Sequence, residues 1–204
     1  MPEPLGWHSR GYLPHFDGGD VAQLVTFRLA GTIPPPLLDR WRADLAHLAP
    51  ADSIRAMARR IDAHLDMGVG EQLLAEPAVG GIVEERLLWA DGEAYRLHAW
   101  VVMPNHVHVL CTPLRGHSLS SIVQAWKSVS SRRIGAVVGR QGMLWQADYH
   151  DRYIRDERHF GAALAYIERN PVKAGLCTDA VDWPLGSARR SADALVRKTA
   201  DEPD

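Results

Sequence analysis

The stretch YRLHAWVVMPNHVHVLCT, residues 95–112, decides how the chain reads. Tyr95–Met103 is apolar and rich in β-branched and aromatic residues, which predicts a strand. Pro104-Asn105 interrupts it, and His106–Thr112 predicts its partner. Side chains alternate faces along a strand, so His106 and His108 point one way while Val107 and Val109 pack into the core. Two neutral imidazoles on one sheet face supply two thirds of a site for a divalent cation. A pair of satisfied or solvent-facing histidines is the other reading, and the motif alone leaves both open.

Outward from this stretch the chain alternates helices and strands. Gln23–Ala30 predicts a core strand, and Gly31 to Pro36 breaks it. Helices are predicted over about Pro35–Leu48 from apolar residues at three- and four-residue steps, over Asp52–Met67 as a polar stretch rich in Ala, Arg and Asp, and over Val79–Trp89 with Ile82, Val83, Leu87 and Leu88 on one side. Residues 49–77 read as an insertion into a smaller core, and residues 1–20 as an irregular arm. Ser118 is a plausible N-cap for a helix whose stripe is Ile122, Val123, Trp126 and Val129. A last helix is predicted over about Glu157–Arg169, with Pro171 preventing its continuation.

The chain has 204 residues, 46% of them hydrophobic and 24% charged, which suits a globular protein and excludes a disordered or disulfide-stapled one. Neither a membrane-length apolar run nor a signal-peptide pattern is present, so a cytoplasmic protein is expected. Cys111 and Cys177 match no zinc or redox spacing and read as buried thiols. A net charge of −2 argues against a nucleic-acid binder, but the average hides a pattern. Residues 101–175 hold 10 Lys/Arg against 5 Asp/Glu, while residues 1–100 hold 9 against 14. Clustered positive charge can face a polyanion whatever the total is, although a solvated helix face is equally consistent with it.

Two further segments carry chemistry. On a helix, Tyr166 and Asn170 share a face, which sets a phenol beside an amide oxygen able to complete a metal site. Asn170 as a helix cap is the competing reading. The segment WQADYHDRYIRD, residues 145–156, interleaves aromatics, Arg and amides, a mixture that stacks bases and holds phosphates. A Trp-anchored core strand is equally possible there. Tyr149 and Tyr153 compete as nucleophiles, without an amide or acid partner on a helix.

Five motifs in order then carry a resemblance. They are WVVMPNHVH (100–108), SLSSIVQAWKS (118–128), LWQADYHDRYIRDERHF (144–160), YIERNPVKAGL (166–176) and DWPLGSA (182–188). Together they resemble the single-tyrosine transposases of the HUH endonuclease superfamily, in particular the bacterial REP-associated tyrosine transposases, over about residues 8–30 and 86–190. The resemblance implies an α+β, ferredoxin-like antiparallel sheet with packed helices. It implies one domain over 1–190 with a helical insertion at about 34–90, and a disordered tail is expected at 191–204. It implies Tyr166 as nucleophile on single-stranded DNA, forming a 5′-phosphotyrosine link. His106, His108 and Asn170 would be ligands to Mg²⁺ or Mn²⁺, and single-stranded or hairpin DNA the partner. Candidate DNA contacts from composition are Lys127, Arg132, Arg133, Trp145, Gln146, Arg152 and Arg155. A non-cleaving hairpin-binding or regulatory protein is the alternative, and a small-phosphoester hydrolase a third. Monomer and homodimer are both consistent with the sequence.

Overall fold

The computed structural model describes residues 6–9, 14–17 and 19–200. Its centre is a four-stranded antiparallel sheet of β3 (Gln23–Arg28), β4 (Tyr95–Val102), β5 (His106–Pro113) and β6 (His150–Tyr153), ordered β4-β5-β3-β6. Three helices, α1 (Pro35–Leu45), α2 (Pro50–Asp66) and α3 (Pro77–Trp89), separate β3 from β4. One, α4 (Leu119–Val138), separates β5 from β6. This βαββαβ succession in that order is the ferredoxin-like arrangement expected from the sequence.

Alternation along the strands assigns each face its helices. Val25 and Phe27 of β3 join Val107, Val109 and Cys111 of β5 in a core with Val83 and Leu87 of α3 and Ile122, Val123 and Trp126 of α4. The intervening residues face the other way, where Leu24, Val101 and Leu110 meet Ala163 and Ile167 of α5 (Glu157–Lys173). The first core is tied by polar tips: Trp126 Nε1 donates to Tyr95 Oη at 2.9 Å, and Tyr95 Oη donates to the Leu87 carbonyl at 2.6 Å. Buried aromatics thus keep their polar atoms satisfied while joining α4, β4 and α3.

The expected insertion at 34–90 divides. The α1–α2 pair closes on its own apolar cluster of Ile33, Ile61 and Leu65 with Leu37, Trp41 and Met57. Helix α3 shares the main core with α4, so its apolar face is part of the central packing.

Three local expectations are corrected. Within the described part of residues 1–20, β1 (Gly6–Ser9) and β2 (Pro14–Asp17) form an antiparallel hairpin instead of an irregular arm. Pro171 lies inside α5, which runs to Lys173 instead of stopping near Arg169. Proline's fixed φ is helical, and the helix there absorbs the loss of one N–H and the crowding of the Ile167 carbonyl. Gly175 (φ 71°) then closes the helix, with Gly175 N–H on the Val172 carbonyl and Leu176 N–H on the Pro171 carbonyl. Finally, α6 (Ser187–Ala200) occupies most of the expected disordered tail, while residues 201–204 lie outside the described ones. Its sequence lacks Gly and Pro and is rich in Ala and Arg, and its start is tied to β4 through Ser187 Oγ and the Trp100 carbonyl. Cys111 is buried as expected, but Cys177 is only partly so.

Candidate active site

Register brings five polar side chains onto the α5 side of the sheet. Thr26 and Arg28 of β3 lie opposite His108 and His106 of β5, and Thr26 also lies opposite His150 of β6. Both histidines of β5 are fully buried. Burial pushes His106 down to about 3 and His108 well below the usual imidazole range, so both are neutral, as metal ligation requires.

The turn residue Asn105 sets the tautomer of His106. Its Nδ2 donates to the Val69 carbonyl at 3.1 Å, so its Oδ1 accepts from His106 Nδ1–H at 2.6 Å. That leaves the His106 Nε2 lone pair facing His108 Nε2, 3.0 Å away. The other nitrogen of His108 meets Thr26 Oγ1 at 2.8 Å. When Thr26 accepts, both Nε2 lone pairs face one region, as in a metal site oriented by outer hydrogen bonds.

A carboxylate from α2 completes the cluster. Asp66, His106 and His108 each offer a ligand atom within 4.8 Å of the others, the one such group among the described residues. Lys173 Nζ holds Asp66 Oδ2 at 2.6 Å, while Oδ1 is buried without a hydrogen bond among the described residues and lies 4.0 Å from His106 Nε2. Asn170 is fully buried on α5, and among the described residues neither atom of its amide has a partner. The orphaned oxygen of Asp66 beside two converging imidazoles fits a divalent cation. The mixed nitrogen and oxygen donors suit Mn²⁺ at least as well as Mg²⁺.

Tyr166 stands over this cluster. Its Oη is 3.5 Å from His108 Nε2, the two rings are 5.2 Å apart, and Lys173 Nζ sits 5.7 Å from the phenol ring centre. Burial pushes the phenol strongly up, and the carboxylates Asp62 and Asp66 add to it; the charge of Arg152 acts in the opposite sense. Asp62, one helical turn before Asp66, is pushed up to about 7 by burial and then by its neighbour's charge.

The remaining sequence candidates separate. Arg152 lies opposite Leu24 and so shares the histidine face, and its charge is felt by both Tyr166 and Asp62. Arg155 is exposed just beyond β6. Gln146 borders a cavity on the same face. Lys127 donates to the Ala147 carbonyl at 2.8 Å, and exposed Arg133 pairs with Glu85 at 2.6 Å. Lys127, Arg132 and Arg133 belong to α4, across the sheet from the histidines. Trp145 is corrected to a core residue: it is 3% exposed, edge-on to Phe27, and donates to Ser130 Oγ at 3.0 Å. Tyr149 packs on His15 at 4.2 Å and Tyr153 on Phe16 at 4.8 Å, so neither reaches the histidine pair. Asp66 was not among the residues the sequence pointed to. The signal available was Asp62-x₃-Asp66, two carboxylates one turn apart on a helix.

A ferredoxin-like sheet with paired histidines on a central strand and a tyrosine on the helix above is what the resemblance to tyrosine transposases implied. Residues 87–170, which carry both histidines, Tyr166 and Asn170, match the family described as "Transposase IS200 like". Among individual relatives, the REP-associated tyrosine transposase of Escherichia coli (strain K12) is 28% identical over 96 residues, covering 47% of this chain and 56% of that one. A curated relative from Haemophilus influenzae is 26% identical over 105 residues, covering 47% and 60%. The chain thus spans little more than half the length of these relatives. A solved structure described as the REP-associated tyrosine transposase bound to a REP hairpin superposes with a TM-score of 0.52 at 20% identity, over 91% of this chain and 85% of that one. The resemblance to the REP-associated tyrosine transposases therefore holds, and the fold is shared.

Proposed function

We propose that the chain is a metal-dependent endonuclease and strand transferase acting on single-stranded DNA at hairpins, with Tyr166 as nucleophile. The observation that carries this reading is the approach of Tyr166 Oη to His108 Nε2 at 3.5 Å, above a cluster that also gathers His106 and Asp66. The hairpin held by the solved relative supports the substrate class.

His106, His108 and Asp66 would hold the ion, with Asn170 as a further oxygen donor. When bound, a divalent cation withdraws charge from the scissile phosphate and from a nearby phenolate. Attack forms a bond between Tyr166 Oη and phosphorus and breaks the bond to the 3′ oxygen. The proton lost by the phenol balances the one gained by the departing 3′-hydroxyl. Lys173 keeps Asp66 oriented and sits over the phenol ring, where its charge favours the anion. Exposed Arg152 and Arg155 border this face and suit phosphates of the bound strand. The link conserves the phosphodiester energy, so rejoining to a new 3′-hydroxyl needs no nucleotide cofactor. The α1–α2 pair acts as an insertion in a single domain over 1–190 and delivers Asp66 to the site.

Incubation with an end-labelled hairpin and Mn²⁺ should yield a shortened strand ending in a 3′-hydroxyl. Chelator or His106→Ala should remove it. A non-cleaving hairpin binder would instead retain the same affinity in chelator and never shorten the strand.

A further inference from the structure

Attack by Tyr166 on a phosphodiester gathers negative charge beside Asp62 and Asp66, and most nearby cations are already engaged. Lys173 Nζ is held by Asp66 Oδ2 at 2.6 Å. Arg28 is buried and donates to Thr32 Oγ1. His106, His108 and His150 are kept neutral by burial. Arg152 differs from all of these. It is exposed, and among the described residues it makes no hydrogen bond and no ion pair.

The strand presents this guanidinium in a fixed place. On β6, Arg152 lies opposite Leu24 and His150 opposite Thr26, so both stand on the face of His106 and His108. Asp151 between them points the other way, where its carboxylate accepts from His15 Nδ1 and, at 2.9 Å, from the Phe16 N–H. The Ile154 N–H bonds the Ala22 carbonyl at 2.7 Å. Ladder and hairpin thus pin β6 from both sides, and the backbone beneath Arg152 is pre-organised. Strand spacing sets the Cα atoms of Arg152 and His108 roughly 12 Å apart, a gap that an arginine and a phosphate fill together. The charge of Arg152 is felt by both Tyr166 and Asp62, so it acts on the side of the cluster where the phenol stands.

We propose that Arg152 is a catalytic residue that clamps the non-bridging oxygens of the scissile phosphate and stabilises the charge of the transition state. The proposal rests on the DNA-cleavage reading above and adds to it a second electrostatic element, brought by a different strand from the histidines. The bonds that form and break are those already given for Tyr166. No proton passes through the guanidinium, which stays charged throughout. Its planar fork matches two phosphate oxygens at once, which a single ammonium does not.

The test compares two hairpin oligonucleotides with Mn²⁺. One carries the ordinary phosphodiester at the position that wild type cuts, and the other an uncharged methylphosphonate there. Arg152→Ala should slow adduct formation on the phosphodiester by about 100-fold at saturating DNA, while half-saturation moves by less than about threefold. On the methylphosphonate its rate should come within about threefold of wild type, because the charge that the guanidinium meets is gone. Arg152→Lys keeps the charge without the fork and should lose about tenfold on the phosphodiester, which carries the test if Arg152→Ala fails to fold. Equal losses on the two substrates, or weaker affinity with an unchanged saturated rate, would overturn the proposal and leave cleavage by Tyr166 standing. If neither protein cuts the neutral linkage, the split between rate and affinity decides alone. Absence of any wild-type adduct on the phosphodiester would overturn the cleavage reading and the proposal with it.

Discussion

A fully buried side-chain amide with both polar atoms unpartnered costs about 1–3 kcal/mol, and Asn170 is in that state. A cation held with Asp66 and the histidines would account for that cost. Asn170→Leu should therefore raise stability by about 1 kcal/mol in urea unfolding without metal, while weakening Mn²⁺ binding measured by calorimetry. A loss of stability would show that the amide is satisfied in solution. Asp66→Asn should weaken Mn²⁺ binding as well, because a neutral amide is a poorer ligand than a carboxylate and loses Lys173. The histidine pair and Tyr166 were legible in the sequence because strand alternation and helical spacing are local rules. Asp66 was not, because its approach depends on how α2 packs, which no spacing encodes.

Among the elements, the strands and helices flanking residues 95–112 follow closely from their periodicity. The differences arise where a local stop signal met a longer-range gain. Pro171 reads as a helix end, yet α5 continues one turn to the Gly175 closure and buries Asn170 within a helix. The WQADYHDRYIRD segment illustrates the opposite limit: composition cannot say which aromatic faces in, and Trp145 went to the core. Trp145→Ala should destabilise the fold by about 3–5 kcal/mol, as a core truncation does, and lower DNA affinity only through unfolding. Helix α2 carries Asp66, the carboxylate of the candidate metal cluster. Leu65 is 1% exposed in its small cluster, so Leu65→Ala should cost about 2–5 kcal/mol and weaken Mn²⁺ binding with it. Retention of wild-type metal affinity in that variant would argue that Asp66 is not a ligand.

Over the whole molecule, the charge pattern has structural consequences at two places. The β1–β2 hairpin docks through His15, whose Nδ1 bonds Asp151 and whose Nε2 bonds Asp148 at 2.9 Å, with the Tyr149 ring alongside. Burial opposes its charge, but the two carboxylates outweigh it and raise His15 to about 9 from an ordinary 6.5. A raised folded-state value stabilises most below the unfolded one, so this contribution is full below about pH 6.5 and fades as pH rises through 9. Thermal melts should fall over that window more for wild type than for His15→Gln; parallel curves would contradict the bracket. DNA affinity should depend only weakly on salt, because Arg133 and Arg140 are already paired with Glu85 and Glu71. A log–log slope shallower than about −3 is expected for single strands. The central claim is that Tyr166 becomes covalently joined to DNA. Its most direct test is peptide mapping by mass spectrometry after incubation with a hairpin oligonucleotide and Mn²⁺. A 5′-linked nucleotide on the peptide containing Tyr166, absent in Tyr166→Phe and in chelator, is the predicted result. An adduct on Tyr149 or Tyr153, or one that survives Tyr166→Phe, would contradict it.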